Sequence, residues 1–165
     1  MLFGMTPFTL VHTAISLLAI LAGLVVMFGM LKGKTWSRWT ILFLVATAAT
    51  SLSGFLFIRE QVMPSHVVGV MALIVLAVTL LALYRYHTAG AWREVYIIGA
   101  TISLYLNIFV LIVQLFQKVP SLHELAPTQS ELPFQLTQGG ALSLFIVLGI
   151  MASVRFHPEL KAARK

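Results

Sequence analysis

The sequence predicts an all-α integral membrane bundle of five transmembrane helices, with the N-terminus outside and the C-terminus cytoplasmic. Three observations carry that expectation. The 165 residues are 59% hydrophobic and 10% charged, whereas a soluble domain carries about 25% charged residues. The apolar residues fall into five continuous runs, 7–31, 39–58, 64–84, 95–116 and 135–156, each near the roughly 20 helical residues that cross a hydrocarbon core. Barrel strands would be shorter and would alternate polar with apolar. Finally, the basic residues alternate between connections. Lys32, Lys34, Arg38, Arg85, Arg93, Arg155, Lys161, Arg164 and Lys165, nine of 11, share one side of a five-span chain, and Arg59 and Lys118 take the other. The positive-inside rule then sets the orientation, and the whole chain, 1–165, reads as one domain in a bacterial inner membrane.

Each element has a local reason. Pro7 and Pro64 open the first and third runs, where a first helical turn has no use for the missing N–H. No basic segment precedes the first run and it is too long for a cleavable signal, so it reads as a span. A polar turn, Arg59 to His66, joins the second run to the third on the outer side. The connection 117–134 holds Pro120, Pro127 and Pro133 and reads as a lid or a linker. Gly139 and Gly140 open the fifth run and read as a close-packing pair. Trp36, Trp39 and Trp92 fall at the basic end, as interfacial anchors do. Stripes of small and weakly polar residues recur at three-four spacing: His12, Ser16, Ala19, Gly23, Val26 and Met30; Thr47, Thr50, Gly54, Phe57 and Gln61; Ala100, Ser103, Asn107, Gln114 and Gln117. Such stripes allow close helix approach and cross-helix hydrogen bonds.

Composition excludes much chemistry. With no cysteine and no aspartate, there is no disulfide, thiolate centre or Ser-His-Asp set. No span holds an acid or lysine at its middle for a carboxylate proton relay. The net charge of +6 sits at the ends of apolar runs, so lipid rather than nucleic acid is the expected contact. The basic tail favours anionic headgroups.

What polar chemistry remains gathers at one depth. His12, Gln61, His66, Gln114 and Gln138 reach the outer third of their helices, and Asn107 lies near the midplane. Histidines on two helices can hold a haem b iron from opposite faces, with Arg59 placed to meet a propionate. A quinone headgroup held by His12 or His66 and a glutamine is a second reading. A third is copper, because Met1, Met5 and Met63 share that end and thioether with imidazole suits Cu(I). Against all three stands a plain alternative: both histidines are interfacial or structural, and the protein is a membrane subunit or assembly factor. Another membrane subunit or a second copy of the chain are the expected partners beside the bilayer.

The opening Pro7-Phe8-Thr9-Leu10-Val11-His12, with Gly23 and the Lys32-Gly33-Lys34 turn, resembles small uncharacterised bacterial multi-pass proteins grouped as a domain of unknown function. The likeness covers the first two helices. The histidine-bearing bundle also looks like membrane b-type cytochromes, which typically carry more intramembrane histidines. That resemblance implies at most one haem here, on the outer side.

Overall fold

The computed structural model describes residues 6–56 and 64–157, with side chains from residue 67 in the second stretch. Arg59, Gln61, the side chain of His66, the methionines Met1, Met5 and Met63, and the basic tail with Lys161, Arg164 and Lys165 lie outside the described residues. Within them the chain is all-helical: α1 Pro7–Leu31, α2 Ser37–Gly54, α3 Pro64–Leu80, α4 Ala91–Lys118, α5 Pro120–Leu125 and α6 Leu132–Arg155. A π-helical turn, Leu81–Arg85, extends α3.

Four segments are long and apolar enough to cross a membrane: Pro7–Leu31, Val67–Arg85, Ala91–Lys118 and Leu132–Arg155. Their outward faces are apolar too, with Leu21, Ile74, Ile150 and Val154 all at least 60% exposed. Soluble monomers rarely expose large contiguous apolar patches, so the surface fits a multi-pass integral membrane protein. The α2 helix is not among the four. Its 18 residues include Arg38 and the hydroxyl residues Ser37, Thr40, Thr47, Thr50, Ser51 and Ser53, which dilute the apolar run.

The helices form a ring in chain order. α1 packs on α2, α2 on α3, α3 on α4, and α4 back on α1, while α6 lies against α4 and α1. A shared core runs through all five, including Met30, Phe43, Leu76, Leu104 and Phe145. Two glycines let backbones close up. A Cβ on Gly23 would sit 2.6 Å from Leu104 and 2.8 Å from Phe43, so α1, α2 and α4 meet there. A Cβ on Gly99 would sit 2.1 Å from the Thr79 hydroxyl, between α4 and α3.

The helix ends follow their residues. Thr6 caps α1 by accepting from the Thr9 N–H at 3.2 Å. At the other end Gly33 takes φ +61°, while the N–H of Gly33 donates to Met30 O and that of Lys34 to Gly29 O. This is the paired closure that favours glycine just past a helix. The α3–α4 turn is unusual: His87 and Thr88 adopt φ of 49° and 56° without being glycine. Tyr86 and Trp92 stack across it at 3.8 Å.

Three details differ from the sequence expectation. α4 starts at Ala91 rather than 95, because Glu94 in its first turn suits the positive end of the helix dipole and pairs with Arg93. α6 starts at Leu132, with Pro133 in a turn that needs no N–H. And the Gly139–Gly140 pair is not a packing contact. It lies in the third turn of α6, where a Cβ on either glycine meets nothing within 4 Å; both residues are exposed on faces turned away from the bundle.

The 117–134 connection is more than an open linker. It folds into α5 and packs on α4. The Gln129 side-chain amide donates to Val113 O at 3.0 Å, Ala126 is buried, and Phe134 meets Phe116 edge-on at 5.3 Å. Glu131 closes the strap by accepting from the N–H and hydroxyl of Thr128 and the N–H of Ser130. Slight desolvation pushes its carboxyl up, but these hydrogen bonds outweigh that and hold it below the ordinary carboxylate value.

Candidate site at the histidine end

α1 and α2 carry facing polar residues at one end of the ring, linked by four contacts, two between the helices and one within each. His12 Nδ1 lies 2.8 Å from Ser53 Oγ. Ser53 Oγ donates to Thr50 O at 3.2 Å. Ser16 Oγ donates to His12 O at 2.8 Å and lies 3.3 Å from Thr50 Oγ1.

The proton inventory orders this set. A carbonyl can only accept, and a hydroxyl has one proton. Ser53 therefore gives its proton to Thr50 O and must accept from His12 Nδ1–H. Ser16 gives its proton to His12 O and must accept from Thr50. All four contacts are satisfied together only in this direction. His12 is thus held as the Nδ1–H tautomer, with the lone pair on Nε2. Its Cε1 edge faces Gly54, where a Cβ would lie 3.9 Å away. Lys118, at the end of α4, is within electrostatic range of the ring.

Deeper in the ring Asn107 does what its stripe predicts. It faces inward, and Nδ2 donates to Thr47 Oγ1 at 3.1 Å, linking α4 to α2. Thr47, Thr50 and Ser53 thus form one ladder on α2, spaced by threes, that receives Asn107 from α4 and Ser16 and His12 from α1. Ser103, one turn from Asn107, is fully buried and its hydroxyl has no partner among the described residues.

Gln138 belongs to a different contact. It is buried on α6, and Nε2 donates to Phe109 O of α4 at 3.2 Å. Gln114 is half-buried on α4, one turn from Lys118, and forms no side-chain hydrogen bond among the described residues. The structure therefore ties His12 to the α1–α2 seam, Asn107 to the α2–α4 seam and Gln138 to the α4–α6 seam. His66 belongs to the first turn of α3. With α1 and α3 both flanking α2 and α4, the two histidine-bearing helices are on opposite sides of the ring.

Sequence reasoning missed Ser53, Thr50 as a proton donor and Lys118. The Thr50–Ser53 spacing was a usable signal, since three residues put both hydroxyls on adjoining parts of one helix face. No group of three or more His, Cys, Asp or Glu able to hold a metal occurs among the described residues. Comparison with protein-family models, with curated proteins and with solved structures gives no match for this chain.

Proposed function

We propose that this chain is a redox-linked component of a bacterial inner membrane, in which the His12 end of the bundle holds haem b or a quinone. The observation that supports the reading is the directed ring of hydrogen bonds through His12, Ser53, Thr50 and Ser16. Metal-ligating histidines almost always donate their other ring N–H to a fixed partner, and here Nδ1–H is so engaged. That bond fixes the orientation of the imidazole, which is what a ligating or ligand-binding histidine needs. Lys118 supplies, at the same end, a cation of the kind that the sequence assigned to Arg59. When bound, haem would supply one-electron chemistry; the chain's own part is to fix the imidazole tautomer and present the cation.

The same reading takes α2 as a fifth span and sets the histidine end outside. In support, α2 packs between α1 and α3 as a full member of the ring, and the basic connections alternate.

The test is the absorption spectrum of protein purified from haem-replete cells. A b-type spectrum is expected, lost in His12→Ala and weakened about tenfold or more in haem affinity in Ser53→Ala, the scale at which such supporting partners act. A colourless protein that also carries no extractable quinone would sink the proposal. The contrasting reading, a non-enzymatic membrane subunit, is favoured by one feature: the Asn107–Thr47 bond needs no ligand.

A further inference from the structure

We propose that Gln138 is the hydroxyl acceptor of a quinol-binding position between α4 and α6, on a different seam from His12. The proposal rests on the redox reading above and assigns it a substrate class.

Gln138 is 9% exposed, and its amide orientation is determined. With Nε2 donating to Phe109 O, the flipped amide would set two carbonyl oxygens against each other. Oε1 is therefore the atom left buried, and no donor reaches it among the described residues. Leaving a buried acceptor unpaired is unfavourable, so the position suits a molecule that brings a donor.

The surroundings narrow the class of that molecule. Phe145 is seven residues from Gln138, on the same face of α6. Its ring lies 5.9 Å from Tyr105, which lies 6.2 Å from Phe109, the residue whose carbonyl holds the Gln138 amide. An aromatic wall with one oriented polar acceptor is the composition of a small-molecule site. A ring bearing a hydroxyl matches both features. Access is from the bilayer: Thr137 and Gly139, on either side of Gln138, are both exposed, so a lipid-soluble ring can approach laterally. Those features together describe a quinol.

The experiment uses the purified full chain in detergent micelles, kept anaerobic, and measures equilibrium dialysis of a decyl-tailed benzoquinol and of its dimethyl ether. The wild type should bind the quinol more tightly than the ether, which has no donor. Gln138→Leu and the near-isosteric Gln138→Met should each lose about tenfold for the quinol, the scale of one buried hydrogen bond, and leave ether binding unchanged. Equal wild-type binding of both probes, or variants that bind the quinol as the wild type does, would overturn the proposal. A His12-dependent haem spectrum without Gln138-dependent quinol binding would overturn it and leave the redox reading standing. Quinol binding that is lost in the Gln138 variants but unchanged in His12→Ala would support it and remove His12 from the quinol position.

Discussion

The two halves of the bundle are joined by different physics. Around Gly23 and Gly99 the helices meet by volume: Leu104, Phe43 and Thr79 fill the space where a Cβ would stand. Towards His12 they meet by direction, through the ring of His12, Ser16, Thr50 and Ser53 and through Asn107–Thr47. The first kind of contact tolerates no added atom but imposes no chemistry. The second leaves room, since Gly54 has only an ordinary van der Waals contact near its Cβ position, but it dictates which atom carries a proton. That division puts stability in one half and frees the other to hold polar groups in fixed states.

The sharpest way to break this comparison is Gly99→Ala. The added methyl would meet the fully buried Thr79, whose hydroxyl already donates to Val75 O at 2.7 Å and cannot swing aside without losing that bond. A loss of about 2 kcal/mol is expected, within the range for overpacked cores. Thermal unfolding in micelles measures it. Thr79→Ala in the same chain should recover most of the loss; a double variant no better than the single one would show that volume is not what joins α3 to α4.

A smaller effect is expected in the polar half. Asn107→Leu removes one interhelical hydrogen bond, and such bonds average about 0.6 kcal/mol in double-mutant cycles. Pairing it with Thr47→Ala isolates the coupling. A coupling of zero would mean that the α2–α4 bond is incidental, and one above about 2 kcal/mol would mean that direction stabilises this half as much as volume does the other.

The smallest effect lies outside the ring. Because the Glu131 carboxyl is held below its ordinary value, its contribution to the strap is fully present above the ordinary carboxylate value of the unfolded chain. It is lost as pH falls through the lower folded value. Amide resonances of Thr128 and Ser130, followed by NMR on acidification, should titrate below that ordinary value. Glu131→Gln should abolish the titration; a midpoint at or above it would remove the strap's hydrogen bonds from the account.

The sequence made the helices legible because continuous apolar runs have few other uses, and it made Asn107 legible because a midspan amide has to find a partner. Its partner Thr47 stood on an α2 stripe already suited to cross-helix hydrogen bonds. The His12 ring was not legible. It depends on how far α2 slides along α1, which decides whether Ser53 or Gly54 meets the imidazole, and both are one residue apart on neighbouring faces. The π-helical turn at Leu81–Arg85 was hidden too: Tyr86 N–H reaches back to Leu81 O, a backbone register that no residue in the run marks. Gly139 and Gly140 misled because a glycine pair looks the same in sequence whether a neighbour fills the gap or lipid does.

The length of α4 has a consequence of its own. Its 28 residues extend about 42 Å at 1.5 Å each, against roughly 30 Å of hydrocarbon. The surplus, about 12 Å, must be taken up by tilt, by a locally thicker bilayer or by a collar of helix standing in the headgroups. Because α1, α3 and α6 all pack on α4, none can tilt alone. Membrane thickness therefore acts on the whole ring at once, and the strap that follows Lys118 rides wherever the end of α4 is carried.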